Sequence, residues 1–235
     1  MNYFAHGHRF LDDPYFVAGT ALPDWLNIAA RRVRVRSKHA LPFTGDEDPR
    51  VAALARGIVQ HHRDDAWFHE TPAFVALSWE LTVLLRDGLP PDEGFRPSFL
   101  GHILVELLLD WELIADEPAR LERYYDALAE LDPEVVQAGV NRMSPRPIER
   151  LAELIPLFTR ERFLFDYGRD DRLWFRLNQV LRRVSLAPLP AEFCDLLPEA
   201  RRRVAAARAG LLAPPAAHPA ANHEDTHLPN GGRAR

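Results

Sequence analysis

The sequence predicts an all-α fold, and three observations lead to this prediction. Leu, Ala, Glu and Arg dominate the 235 residues, of which only 12 are Gly, and such a composition favours helices. A small polar or acidic residue repeatedly precedes a Pro, which combines an N-cap with the first helical position. Apolar residues then recur at helical spacing, and the one alternating run, 32–36, is too short to make a sheet alone.

The capping pattern marks five helix starts: Asp48-Pro49, Thr71-Pro72, Glu117-Pro118, Asp132-Pro133 and Ser144-Pro145. Together with the apolar spacing they predict a single bundle of about eight to ten helices. Eight of these can be placed, over 49–65, 72–86, 97–115, 118–130, 133–142, 146–166, 170–184 and 190–210. We expect Pro156 to kink or divide the helix over 146–166.

The bundle is expected to form one domain over residues 1–212, followed by a disordered tail over 213–235 that lacks a periodic apolar pattern. Three histidines in this tail either bind metal weakly or are simply solvated. Cys194 is the only cysteine, which excludes a disulfide framework within the chain.

Charge and hydropathy exclude two classes of partner. The net charge of −5 argues against a general nucleic-acid binder, and no segment has the ~18 uninterrupted apolar residues that a membrane span needs. The first residues lack the basic start and apolar stretch of a signal peptide, which predicts a cytoplasmic protein. The oligomeric state is left open.

Two polar side chains lie on the apolar face of the helix predicted over 49–65. Leu54, Ile58, His61 and Asp65 are separated by steps of four, three and four, so they share one face. His61 and Asp65 therefore point inward, where polar groups need partners. They form either a satisfied hydrogen-bonded pair or two converging ligands of a metal ion.

The helix over 97–115 is apolar almost all round, yet it carries His102, Glu106 and Asp110 at steps of four. Ionisable groups on a buried helix are costly unless a cation or facing partners neutralise them. A buried network with His61 and Asp65 is one solution. Because two central helices each offer a histidine and a carboxylate, the sequence favours a metal site.

The N-terminal segment supplies further candidates. His6 and His8 are two residues apart, so only one can face the core from a helix, and Tyr3 and Phe10 flank His6 at helical spacing. His6 is therefore the expected ligand, whereas the role of His8 is open.

Asp24 follows Pro23 among apolar neighbours, which suits either an N-cap or an inward-pointing metal ligand. His62 and His69 are seven residues apart and could line the same rim, but neither is assigned a role.

Several of these phrases together resemble one family. The chain opens Asn2-Tyr3-Phe4-Ala5-His6, continues with Gly19 and Asp24 in a Gly-x4-Asp phrase, and then has Gly57-Ile58 with His61 and Asp65. This order is similar to that of the bacterial acyl carrier protein phosphodiesterases. A late segment, Phe163 to Tyr167 followed by Leu173, Leu177 and Arg183, looks like the family's aromatic-Leu-x-x-Tyr helix, so the resemblance covers about residues 1–205.

The resemblance implies an all-helical fold with an HD-like metal-binding core, related to the HD-type metal phosphohydrolases, and a manganese-type ion. It also implies hydrolysis of the phosphodiester that links phosphopantetheine to an acidic carrier protein. His6, Asp24, His61 and Asp65 match motif positions.

The chain departs from that family at two places. His62 stands where the family usually has Arg, and a helix with His102, Glu106 and Asp110 replaces an Asp-x3-Asp-His helix. The latter spacing is closer to the zinc-dependent phospholipase-C-like proteins. Because mixed histidine and carboxylate sites accept Mn, Zn or Fe, the ion is left open.

For a hydrolytic site, roles can be assigned to each candidate. The expected metal ligands are His6, Asp24, His61, His102 and Asp110. A carboxylate that does not bind the ion, Asp65 or Glu106, would act as general base on a water that the ion acidifies.

Arginines would then offset the charge of a phosphate. Arg9 and Arg63 are candidates by position, although both can equally be surface residues, the interpretation favoured for Arg63. Residues 31–39 include Arg34 and Arg36 and form either a basic lip for an acidic substrate or an ordinary solvated loop.

Three functions remain open from the sequence. The first is a metal-dependent phosphodiesterase or phosphohydrolase. The second is a helical metal-binding or adaptor protein without turnover, and the third is a zinc-type hydrolase with a substrate other than a phosphoester.

Overall fold

The computed structural model describes residues 1–91 and 94–213. Throughout these residues the regular structure is helical and no strand occurs. The α-helices of the described chain are α1 (Tyr3–Gly7), α2 (Pro14–Ala29), α3 (Ser37–Ala40), α4 (Pro49–Glu70), α5 (Pro72–Gly88), α6 (Pro97–Asp116), α7 (Pro118–Ala129), α8 (Pro133–Met143), α9 (Leu151–Glu161), α10 (Asp170–Arg183) and α11 (Leu197–Leu211). Short 3-10 segments lie at Leu41–Phe43, Phe163–Gly168 and Ala191–Leu196. The all-α prediction is confirmed.

Several helix starts follow from local capping. Asp48, Thr71 and Asp132 each accept a backbone N–H of the first turn of the next helix, as the sequence predicts. Ser144-Pro145 is not a helix start, because Ser144 instead ends α8 and its hydroxyl donates to the carbonyl of Arg146.

The segment predicted as one helix over 146–166 is shorter and in two parts. α9 begins only at Leu151 and contains Pro156 within one continuous helix. The helix ends where Arg162 adopts a left-handed conformation, with φ of 47°. The break therefore follows α9, and Pro156 does not divide it.

The predicted tail lies outside the described residues apart from Ala213. Among the described helices, none is both long enough and apolar enough to cross a membrane.

Two close helix crossings position the inner part of the bundle. Where α2 crosses α4, Gly19 and Gly57 face each other, and a Cβ on Gly57 would lie 2.2 Å from the carbonyl oxygen of Phe16. Where α5 crosses α6, a Cβ on Gly101 would lie 2.9 Å from the carbonyl oxygen of Ser78. Only a residue without a side chain fits at these distances, so glycine fixes how closely each pair packs.

The extended run at 32–36 has alternating burial but forms no strand. Val33 and Val35 are buried, and the alternating arginines Arg32, Arg34 and Arg36 are exposed. His62 on α4 donates its Nε2 hydrogen to the carbonyl oxygen of Val35, 2.9 Å away. This contact, which the sequence does not reveal, holds the basic loop against α4.

Candidate metal centre

His6 on α1 and His61 and Asp65 on α4 form a compact group, which we call the inner cluster. One ligand atom from each of the three residues lies within 4.8 Å of the other two. Nε2 of His6 is 3.3 Å from Oδ1 of Asp65, and Nε2 of His61 is 3.3 Å from Oδ2. Both imidazoles are buried. The cluster thus directs two ring nitrogens at one carboxylate.

Both histidine rings of the inner cluster also have a polar partner at Nδ1, the nitrogen that faces away from Asp65. Nδ1 of His61 donates to the carbonyl oxygen of Thr20 at 2.8 Å, across the α2–α4 crossing. Nδ1 of His6 lies 3.3 Å from a carboxylate oxygen of Asp64, whose other oxygen accepts from the side chain of Gln60. A partner on Nδ1 fixes the tautomer and leaves Nε2 available as a ligand, the arrangement typical of metal-binding histidines.

Asp24 lies next to this cluster, but not at a helix start. It stands in the last third of α2, whose N-cap is Asp13, so the N-cap interpretation of Asp24 is wrong. Its Oδ2 atom is buried and has no hydrogen-bond partner among the described residues. Burial raises the pKa of Asp24, and the nearby charges of His61 and His6 oppose that shift. A buried carboxylate oxygen without a partner is unfavourable unless a cation or proton satisfies it.

The charges within the inner cluster are strongly coupled. Burial alone would lower the pKa of His6, but the hydrogen bond with Asp64 and the close carboxylate of Asp65 raise it to about 9. Burial would raise the pKa of Asp65, whereas the imidazoles of His6 and His61, each 3.3 Å away, lower it well below its usual range. Asp65 is therefore an anion, and it attracts positive charge to this point.

A second group, the outer cluster, consists of His69 at the end of α4 and His102 and Glu106 on α6. Oε1 of Glu106 lies 2.8 Å from Nε2 of His69 and 3.4 Å from Nε2 of His102. The side chain of His102 is 43% exposed, so this group lies nearer the surface. Burial would raise the pKa of Glu106, but the N-terminal ammonium and the two histidines lower it.

The two clusters meet at one positively charged nitrogen. The amino group of Met1 donates to Oδ1 of Asp65 at 2.8 Å and to Oε1 of Glu106 at 3.2 Å. The carboxylates of the inner and outer clusters are thus near neighbours facing a shared cation.

Asp110, expected as a ligand, belongs to neither cluster. Its Oδ1 accepts from the backbone N–H of Ala5 at 2.8 Å, and its Oδ2 accepts from the backbone N–H of Phe4 and the side chain of Asn2, both at 3.0 Å. Burial raises its pKa to about 7. Asp110 therefore holds the start of α1, which in turn places His6.

Of the two N-terminal histidines, His6 joins the inner cluster and His8 does not. His8 is nevertheless only 9% exposed, and its ring packs against Phe4. Its surroundings are cationic, with an Arg120 guanidinium nitrogen 3.4 Å from Nδ1. Burial and the arginines lower the pKa of His8 to about 4, which makes it a neutral structural residue.

Of the four arginines proposed for phosphate binding, three line cavities and Arg63 does not. Arg34 lines a cavity that Asp24 and Glu106 also line, and Arg9 lines a smaller one beside His6 and Asp64. Arg36 faces a neighbouring surface cavity with His62. Arg63 is exposed and lines none of these three cavities. It is two residues from His61 and so lies on the opposite side of α4, in agreement with the surface interpretation.

The sequence-based predictions did not identify Asp64 or Thr20 as partners of the histidines, and they assigned no role to His69. For His69 a signal existed, because it continues the steps of four from His61 and Asp65 once α4 extends to Glu70. No comparable pattern marks Asp64 or the carbonyl of Thr20, whose contacts arise from the packing of α1 and α2 on α4.

Comparison with known proteins adds no assignment, since no family model, curated protein or solved structure matches the chain.

Proposed function

We propose that the protein is a divalent-metal-dependent phosphodiesterase or phosphohydrolase whose ion is held by the inner cluster and Asp24. One observation carries the proposal. Two buried imidazoles with fixed Nδ1 atoms present Nε2 to a shared carboxylate, beside a buried carboxylate oxygen that has no hydrogen-bond partner in the described chain.

The chemistry of these donors fits such an ion. Two imidazoles, of which His6 would release its proton when the ion binds, and one or two carboxylates form a mixed nitrogen and oxygen set that suits Mn, Zn or Fe. Nε2 of His6 also has no properly directed hydrogen bond, although it lies 3.3 Å from Asp65. An ion would satisfy both this nitrogen and Oδ2 of Asp24, which a simple histidine–aspartate pair does not.

In this proposal Asp65 is a ligand and Glu106 is the base. A divalent ion supplies Lewis acidity towards a phosphoryl oxygen and a water molecule. Glu106 is ionised and lines the cavity beside Asp24, so its carboxylate can orient a water and accept its proton. His69, 2.8 Å from Glu106, can share that proton.

The substrate is expected to be anionic. Arg34 lines the cavity, and the extended loop that carries it is attached to α4 through His62. Such a basic loop attracts phosphorylated or acidic partners through its field. The phosphopantetheine phosphodiester of an acidic carrier protein and less polar phosphoesters are both substrates of this kind.

Metal content and turnover test the proposal together. Purified protein should bind Mn²⁺ or Zn²⁺ and hydrolyse bis(p-nitrophenyl) phosphate in the presence of that ion. The His61→Ala variant should lose both properties while circular dichroism shows the helical fold retained. His39→Ala, which removes an imidazole outside both clusters, is the matched control and should behave as wild type.

Bound metal without turnover of any phosphoester would identify a metal-binding protein instead. Absence of bound metal, with unchanged stability on adding Mn²⁺ or Zn²⁺, would overturn the proposal.

A further inference from the structure

The cavity that Asp24 and Glu106 line combines charged and apolar side chains. Its volume is about 480 Å³, which falls within the range of small-molecule sites. Asn2 and a third carboxylate, Glu161, also line it. Apolar side chains of α6, α9 and the segment at 163–168 line much of the rest, among them Phe99, Ile103, Leu107, Leu154 and Phe158.

Arginines from two separate parts of the chain converge on the same cavity. Arg31 and Arg34 come from the basic loop, and Arg176 and Arg183 come from α10. Arg176 is paired with Asp166 at 2.7 Å. Within the described residues, no carboxylate lies within ion-pairing distance of the other three. Such cations favour a ligand that brings its own negative charge.

Exposed apolar side chains lie at this cavity as well. Ile28, Leu157 and Val184 line it and are 36%, 44% and 39% exposed. Large apolar groups that cluster at a cavity and remain in contact with water indicate a ligand surface. A small hydrophilic anion would leave them uncovered.

From these features together we infer that the cavity binds an anionic amphiphile, a phosphate ester of a single alkyl chain. The phosphate lies among the arginines towards Asp24 and Glu106, and the chain packs along the apolar walls. This inference rests on the proposed function, because it names the substrate class of the same site. Binding, however, can be measured without metal and without turnover.

A chain-length series tests the inference directly. Ethyl, butyl, hexyl and octyl phosphate are titrated into the full chain in EDTA, below their micelle concentrations, by isothermal titration calorimetry. Each added methylene that becomes buried should tighten binding roughly fourfold. 4′-Phosphopantetheine, a polar phosphate ester of comparable length, should bind at least tenfold more weakly than octyl phosphate.

Two variants separate the charged and apolar contributions. Arg183→Gln should weaken all four alkyl phosphates by a similar factor, about tenfold, because it removes a charge-assisted contact. Leu157→Gln should instead reduce the gain per methylene. The matched controls are Arg150→Gln, an arginine that is 76% exposed and does not line the cavity, and Val75→Gln, an apolar side chain on α5 that is 58% exposed.

The outcomes distinguish this inference from the proposed function. Affinity independent of chain length, phosphopantetheine binding as tightly as octyl phosphate, or equal losses in Val75→Gln and Leu157→Gln would overturn the inference. Hydrolysis of bis(p-nitrophenyl) phosphate would still support the metal centre in each case. Conversely, chain-dependent binding by a protein that takes up no metal would support the cavity and overturn the proposed function.

Discussion

The inner and outer clusters contain the same kinds of side chain but differ in how the histidines are held. In the inner cluster, His6 and His61 each have an Nδ1 partner, supplied by Asp64 and the carbonyl of Thr20. In the outer cluster, the described residues provide no Nδ1 partner for His69 or His102. Because a hydrogen-bond partner on Nδ1 orients an imidazole for metal binding, pre-organisation, and not residue type, distinguishes the cluster that we propose as the metal site.

Each cluster also depends on its own helix crossing. Gly57 lies one turn before His61 at the α2–α4 crossing, and Gly101 directly precedes His102 at the α5–α6 crossing. A Cβ at the first crossing would meet rigid backbone at a much shorter distance than one at the second. The inner cluster therefore has less freedom to adjust.

The largest effect is expected from Gly57→Ala. The added methyl would lie 2.2 Å from the carbonyl oxygen of Phe16, so α2 must move away from α4. We expect the free energy of unfolding to fall by about 3 kcal/mol, although alanine is the better helix former, and the His61–Thr20 hydrogen bond to be lost with it. Urea unfolding and metal titration measure the two effects.

Gly45→Ala is the control for this change, because no atom lies within 4 Å of the Cβ position there. Its free energy of unfolding should match that of wild type. A Gly57→Ala protein as stable as Gly45→Ala would mean that the crossing is not tight.

The next largest effect is expected from Asp64→Asn, which changes the partner of Nδ1 of His6. Asp64→Asn removes the charge that faces Nδ1 of His6 but preserves the size of the side chain. Loss of such a supporting group typically reduces metal affinity by about 10- to 100-fold. Calorimetric titration with Zn²⁺ or Mn²⁺ measures the loss. Asp12→Asn, at a side chain that is 99% exposed, should leave the affinity unchanged.

The i,i+4 spacing in the sequence predicted the pairs His61–Asp65 and His102–Glu106, because residues four apart lie on the same face of any α-helix. It did not show that His61 and His102 belong to different groups, since this depends on how α4 and α6 cross. Asp110 was expected to bind metal because a buried carboxylate needs a partner. Its actual partners are backbone amides of residues 4 and 5, contacts between distant parts of the chain that no local pattern encodes.

A pH titration of the metal-free protein compares the surroundings of His6 and His8. Arginines and burial lower the pKa of His8 to about 4, so its contribution to stability is complete above the unfolded pKa near 6.5 and is lost as the pH falls towards 4. Relative to His8→Gln, wild type should lose about 2 kcal/mol of unfolding free energy between pH 7.5 and 5.

His6 should show the opposite dependence. Its pKa is raised to about 9, so the stability it contributes is complete below about 6.5 and is lost as the pH rises through 9. Urea unfolding of His6→Gln and wild type at a series of pH values measures the difference. If the unfolding free energy contributed by both histidines fell in the same pH direction, His6 would not lie among carboxylates or His8 would not lie among arginines.

The smallest effect is expected from Gly101→Ala. The new methyl would lie 2.8 Å from the hydroxyl of Thr82 and 2.9 Å from both the carbonyl oxygen of Ser78 and the backbone nitrogen of Thr82, so α5 and α6 must separate slightly. Because alanine favours the helix by about 1 kcal/mol, it offsets part of this overpacking, and the net loss of unfolding free energy should be about 1 kcal/mol. His102 should shift and inner-cluster metal affinity should persist. Equal losses of metal affinity in Gly101→Ala and Gly57→Ala would instead show that the two clusters bind ions as a single unit.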